Sequence, residues 1–455
     1  MQFSTEPVNS GESEDSQTLF GKLLWIQLGI MCFFSVFQFL LQGSVGVFAE
    51  GMKKTFQIDA AGIGLLSSSF FYSYIGMQIP AGIVYDKFGL KKVASTAVSV
   101  MILGCFLLAW APSLEIAMIS RVLMGMGCSC GFVGLLFGIK KWFSSRQFPL
   151  VVALSECLAM AGVGLANNIL SRGVEAFGWR MALVGCGLVA ILLLVSILRY
   201  LEAETEDVSE QVASGQPSAA ALLRKVPSWH VLKIREVWIG GLFSACLFSV
   251  LSVFVALWAI PFLMSVYQLD VVSATSLTSS VYIGVALSSP LIGWAAGYMN
   301  LSTLMTVGAG GTATMMFALV RAPMVPVYAL HIMLFLLGFF CAVYQFSFAL
   351  VGQKAPRSLQ GAAMGTTNMI TMSAALILQP LIGMMISSSK NGKVLDGFET
   401  YQPQAYQNAL SILPWCMVLA FVLSFLLKEQ GALSFKSLIT HWQRLFGRLA
   451  KSVVK

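Results

Sequence analysis

Residues 80–92 read Pro-Ala-Gly-Ile-Val-Tyr-Asp-Lys-Phe-Gly-Leu-Lys-Lys. One long apolar segment ends here and another begins. The turn between them carries Asp86, Gly82, Gly89 and the lysines Lys87, Lys91 and Lys92. Charge packed into a turn between two apolar runs is the pattern of a membrane protein at the membrane surface.

The composition agrees. Apolar residues make up 57% of the 455 and charged residues 11%, whereas a soluble domain carries roughly 25% charged residues. The first 18 residues are polar and acidic, with no basic start and no small-residue cleavage site, so no cleavable leader is expected. The nine cysteines all lie in apolar segments, and no pair has metal or redox spacing. They read as small packing residues. The net charge of +8 reflects basic residues collected on one side of a membrane, so no nucleic-acid partner is expected.

A hydrocarbon core about 30 Å thick needs roughly 20 apolar residues as a helix. Twelve stretches qualify: 22–48, 61–85, 93–111, 114–139, 149–171, 180–200, 237–264, 272–297, 302–321, 325–352, 361–387 and 408–427. Only helices satisfy the backbone in lipid at this length, so the fold expected is all-α. With the N-terminus in the cytoplasm, Lys53, Lys54, Arg172, Arg180, Arg321, Lys390 and Lys393 fall outside. The other lysines and arginines fall inside, apart from Arg121 within a span. This bias puts both termini in the cytoplasm.

The longest polar stretch between spans, 201–236, begins acidic, passes through Ser-Gly-Gln-Pro and ends basic. It divides the chain into an N-terminal tail (1–21), a six-helix bundle (22–200), a linker (201–236), a second six-helix bundle (237–427) and a basic tail (428–455). Gly293-Trp-Ala-Ala-Gly297 stands where Gly82-Ile-Val-Tyr-Asp86 stands in the first bundle, a worn internal repeat without the aspartate. Parallel repeats related by an axis along the membrane normal fit this spacing. In the tail, Phe435, Leu438, Ile439, Trp442, Leu445, Phe446 and Leu449 share one helical face among basic residues. That pattern suits a helix on an anionic membrane surface, or a plain basic tail.

Pro80, Gly82, Asp86, Gly89, Lys91 and Lys92 resemble the signature loop of the major facilitator superfamily, and Arg121-Val-Leu-Met-Gly125-Met-Gly127 resembles that family's fourth-span pattern. The resemblance implies a secondary transporter of twelve helices in two six-helix bundles, working by alternating access. In that fold Asp86 approaches the start of span 11 near Gly361. A carboxylate at a helix N-terminus gains roughly 0.3–1 kcal/mol, so Asp86 reads as a latch made when the cytoplasmic side closes. The alternative is a solvated loop charge. Gly82 and Gly89 are expected to permit close approach, Lys91 and Lys92 complete the loop, and Gly125 and Gly127 serve helix packing.

Arg121 is the one strong charge well inside a span. It is expected either to bind an anionic group of the solute or to bond backbone carbonyls. Glu156, on the order of 10 Å into span 5, either carries a proton or plays a structural role. His331 either titrates or bonds a neighbour. By resemblance, Gln38, Gln42, Trp258, Tyr344 and Gln345 face the central cavity, with Tyr72, Asn168, Tyr282 and Asn368 as further candidates; each is also open to helix–helix bonding.

The function expected is proton-coupled uptake of a small polar organic solute: an organic anion, amino acid, short peptide or carboxylate siderophore. An exporter is the alternative, although Gly162-Val-Gly164 lacks the adjacent proline of many antiporters of the superfamily. A non-transporting membrane sensor is the remote one. No enzyme, cofactor or metal site is expected: no phosphate-binding glycine loop occurs, and His230, His331 and His441 are scattered. The expected setting is a bacterial inner membrane, with the chain a monomer in the lipid bilayer.

Overall fold

The computed structural model describes residues 10–144, 147–202, 228–295, 298–321, 325–356, 359–389, 393–395 and 398–427. Most of the expected linker (203–227), the basic tail (428–455) and Gly297 of the worn repeat lie outside the described residues.

The first bundle holds α1 (Ser10–Phe56), α2 (Ala60–Phe88), α3 (Leu90–Ala109), α4 (Leu114–Trp142) and α5 (Phe148–Tyr200). The second holds α6 (Arg235–Tyr267), α7 (Val271–Ala295), α8 (Leu301–Arg321), α9 (Val327–Lys354), α10 (Gln360–Ser387) and α11 (Pro403–Ser424). Ten helical stretches among the described residues are long and apolar enough to cross a membrane. One, in α5, is two spans joined at Gly178, whose φ of 78° and ψ of 163° break the helix. The helix α2, with Ser67, Ser68 and Ser69 buried along it, supplies the remaining span, giving twelve.

The ends follow local chemistry. Asp59 caps α2 by accepting from Gly62 N at 2.8 Å. Gly89 closes α2 and opens α3 at φ 78°, a conformation that favours glycine, and its N–H reaches Tyr85 O at 3.0 Å. Asp270 Oδ2 accepts from Val272 N and Ser273 N at the start of α7. Bonding from Ser273 holds the Asp270 carboxyl below its ordinary value. The structure adds one element to the expected all-α fold. A short antiparallel ladder, β1 (Lys393–Leu395) with β2 (Phe398–Thr400), lies between α10 and α11.

Helix surfaces sort by environment. Leu150, Leu154, Leu158, Leu165 and Ile169 form an exposed stripe along the first half of α5, an apolar face of the kind lipid covers. By contrast, the most apolar window of α6 is buried throughout. The bundles meet along three seams: α1 with α6, α2 with α10, and α5 with α7. The end of the molecule carrying Tyr200 and Arg235 is called the linker end here, and the opposite end the far end.

Candidate functional site

Two helices at the centre of the second bundle depart from α geometry. Val250–Trp258 in α6 winds as a π-helix, and Ala342–Gln345 in α9 tightens to a 3-10 turn. Such irregular segments often accompany functional sites because they re-aim side chains and free backbone groups. Trp258, Tyr344 and Gln345 all belong to these segments.

Glu156 of the first bundle interacts with Tyr344 of the second of these segments. It lies two residues from Leu154 and two from Leu158, on the face of α5 opposite the exposed stripe. It is 7% exposed, and its Oε2 has no hydrogen-bond partner. The ion pair found among the described residues is Lys53 with Glu50, so Glu156 has no cationic partner there. Its electrostatic neighbours are Tyr74 of α2, Tyr344 of α9 and Cys32 of α1. A buried carboxyl without a counter-charge is costly, which marks it as a group with a task.

A chain of side chains leads away from it. Phe132 N donates to Gln38 Oε1 at 2.9 Å, and Gln38 Nε2 donates to Tyr74 Oη at 3.0 Å. Tyr74 also interacts with Gln78, one turn along α2. Gln78 Oε1 accepts from Asn368 Nδ2 of α10 at 2.9 Å, which carries the chain into the second bundle. On the other side Tyr344 interacts with Gln345 and packs on Phe248, ring centres 5.0 Å apart. Gln78 Nε2 and Gln345 Nε2, beside Tyr74 and Tyr344, have no hydrogen-bond partner; Gln42 Oε1 and Trp258 Nε1 are also unpaired, and Trp258 stands 14 residues along α6 from Ser244, whose hydroxyl bonds Tyr344 O. Unpaired groups of this kind are able to bond a polar ligand.

Arg121 is fully buried, and its recorded hydrogen bonds and ring contact are with the first bundle. Nη1 donates to Leu41 O at 2.7 Å and Nη2 to Gln42 O at 3.3 Å, while the guanidinium carbon sits 4.9 Å from the centre of the Phe70 ring. In this conformation it bonds α1 carbonyls, the structural arrangement of the two the sequence left open. His331 Nδ1 pairs with Ser280 Oγ at 2.8 Å within the second bundle. Asn168 Nδ2 joins α5 to α7 through Ser279 Oγ at 2.7 Å.

Gly82 stands open in this conformation, since a Cβ there would meet nothing within 4 Å. One expectation needs correction. Tyr72 is 56% exposed and turned away from the interior. Tyr74, two residues and roughly 200° further round α2, is the buried one and was missed. Its signal was a tyrosine and a glutamine, Tyr74 and Gln78, spaced one turn apart in an apolar span. Gly125 and Gly127 lie where a side chain would strike Phe70 O and Ala97 O of α2 and α3. Asp86 is half-buried, with Lys140 of α4 as its charged neighbour.

The family model described as Major Facilitator Superfamily matches residues 31–431. The 4-hydroxybenzoate transporter PcaK of Pseudomonas aeruginosa is 25% identical over 296 residues, covering 60% of this chain and 66% of PcaK. The probable galactarate/D-glucarate transporter GarP of Escherichia coli is 24% identical over 173 residues, covering 36% of this chain and 38% of GarP. The chain thus spans less than two thirds of these relatives' length. Among solved structures, the nucleoside transporter NupG superposes with a TM-score of 0.66 at 16% identity, covering 89% of this chain and 99% of NupG. That likeness concerns the fold alone.

Proposed function

The chain belongs to the major facilitator superfamily of membrane transporters, and from that premise we propose that it takes up a small hydroxylated carboxylate together with a proton. The observation that carries the proposal is Glu156: buried, without a counter-charge among the described residues, and in electrostatic reach of Tyr74 in one bundle and Tyr344 in the other. A carboxyl so placed can carry one proton per cycle without being drawn into a salt bridge.

The groups around it suit a solute with both acceptors and a donor. Gln345 Nε2 is an unpaired donor in the second bundle, suited to an oxygen of a carboxylate. Glu156 Oε2 is an unpaired acceptor in the first, suited to a hydroxyl. The names of PcaK and GarP support the class, since 4-hydroxybenzoate, galactarate and D-glucarate each combine the two groups. Arg121, bonded to α1 carbonyls, braces the first bundle and supplies positive potential rather than a direct contact.

The basic bias of the loops supports a cytoplasmic linker end, and Gly82 and Gly365 stand open there, which supports reading the present conformation as the one that releases solute inward. Asp86 acts as the latch of the opposite state. Each chain carries its own site between its bundles and works as a monomer, in a bacterial inner membrane.

The test is a thermal-shift comparison of the purified protein with matched pairs: 4-hydroxybenzoate against benzoate, and D-glucarate against adipate. Ligand that binds only the folded state raises the melting temperature according to its affinity. The hydroxylated member of at least one pair should bind about tenfold tighter, roughly 1.4 kcal/mol, and Glu156→Gln should narrow that gap. Equal shifts within each pair, or stabilisation by cationic and apolar compounds only, would contradict the proposal and favour an exporter.

A further inference from the structure

We propose that Gln379 is a positioning residue that holds the π segment of α6 against α1, so that the two far-end seams open and close as a unit. The inference rests on the two-state reading given above and is independent of which solute is carried.

The sequence weakens both helices at this level. Pro261 follows the π segment by three residues and has no N–H to return to Leu257 O. Pro380 directly follows Gln379 and has none for Leu376 O. Helices bend at prolines and π segments, so where their backbone settles depends on what holds it from outside.

Gln379 supplies that hold. Its Nε2 donates to Ser252 O, inside the π segment, at 2.6 Å. A carbonyl only accepts, so the nitrogen end of the amide is fixed there. The side chain is fully buried, and its Oε1 has no partner. A buried amide with its oxygen unpaired is costly, and a leucine or methionine would fill similar space without that cost. What the amide adds is a donor aimed at one address on α6.

The same two elements make the far-end contacts. Four residues on from Ser252, Ala256 O lies 2.7 Å from where a Cβ would stand at Gly46 of α1. The backbone of Gln379 does likewise on α2, its O lying 2.6 Å from where a Cβ would stand at Gly64. Both are backbone against backbone, so they seat only when the carbonyls are accurately placed. Gln379 thus faces two ways. Its main chain seats the α2–α10 seam, and its side chain fixes the stretch of α6 that seats the α1–α6 seam. When α10 swings away from α2, the bond to Ser252 draws the π segment with it, and Ala256 leaves Gly46.

Spin-label distances test this without any solute. Labels attached through an encoded ketone side chain spare the nine cysteines. At the exposed positions Lys54 and Gln268 they read the α1–α6 seam, and at Leu65 and Ser388 the α2–α10 seam. In the otherwise native chain, Gly64→Val should open both pairs. Gln379→Leu keeps the backbone oxygen on Gly64 and removes the donor to Ser252. Alone it should raise the open fraction of the α1–α6 pair about fivefold and leave the α2–α10 pair within about twofold. Adding Gly64→Val should then open the α2–α10 pair with no further change at the α1–α6 pair.

Independent movement of the two pairs in Gln379→Leu supports the proposal. An α1–α6 pair unmoved by Gln379→Leu, or pairs that still move together when Gly64→Val is added to it, overturns the proposal. So does a Gly64→Val variant that opens only the α2–α10 pair in the native background. If Gln379→Leu does not fold, Gln379→Met, unbranched and equally without a donor, is read by the same criteria. Gly64→Val that moves neither pair in the native background would instead overturn the two-state reading, and this inference with it.

Discussion

Gly64 and Gly82 lie on the same face of α2, five turns apart, yet meet opposite surroundings. A Cβ at Gly64 would stand 2.6 Å from Gln379 O and 2.9 Å from Pro380 Cα, whereas one at Gly82 would touch nothing. On α10 the pair Gly383 and Gly365 repeats the arrangement at the same spacing: Gly383 presses on Ala60 and Gly365 stands free. One seam therefore carries a glycine contact in use at the far end and a second, open one at the linker end.

Bulk at the two positions should bias the conformation in opposite senses. Gly64→Val obstructs far-end closure, and Gly46→Val does the same on α1, where a Cβ would lie 2.7 Å from Ala256 O. Gly82→Val fits the present state and obstructs its opposite. Spin-label distances across each end should show the first two variants opened at the far end and the third held closed there. Identical distance distributions in all three would contradict a rocking seam.

Arg121 should prove a brace. Two charge-assisted bonds to carbonyls are lost in Arg121→Met, a destabilisation on the order of 3 kcal/mol. Arg121→Lys should recover little, since an ammonium cannot make the forked bond while lying flat on Phe70. Melting temperatures of the purified variants check this. Wild-type stability in Arg121→Lys with loss of all ligand shifts would instead make Arg121 a direct contact.

At the far end Lys53 of α1 joins the bundles. Its Nζ bonds Glu50 Oε1 at 3.1 Å and lies 5.8 Å from the Tyr401 ring, with Tyr406 also interacting. A cation over an aromatic ring contributes about 1 kcal/mol. Lys53→Met should therefore raise hydrogen exchange at Ala61 N, which Ser387 Oγ ties across the same seam at 3.0 Å, by roughly fivefold. Unaltered exchange would show that Lys53 does not hold this end.

The spans were legible because apolar runs of membrane length have few other uses, and Gly178 sits between two of the expected stretches. The β1–β2 ladder was not, since its pairing is set by a loop with no apolar pattern. Glu156 stood out as a lone carboxyl in an apolar helix. Its setting did not, because Gln78 and Asn368 are 290 residues apart in the chain and no local rule pairs them. The sequence offers Tyr72 as a candidate and not Tyr74, because the face of α2 that turns inward is fixed by packing on α4 and α10. Arg121 remained two-sided in the sequence because its acceptors are backbone carbonyls, which carry no sequence signature.

The most direct measurement is uptake of radiolabelled 4-hydroxybenzoate and D-glucarate into proteoliposomes, with and without an inward proton gradient, for wild type and Glu156→Gln. Wild type should accumulate at least one of them when the gradient is imposed, and Glu156→Gln should exchange it at reduced affinity without accumulating it. Gradient-driven accumulation by Glu156→Gln equal to wild type would contradict the assignment of the proton to Glu156.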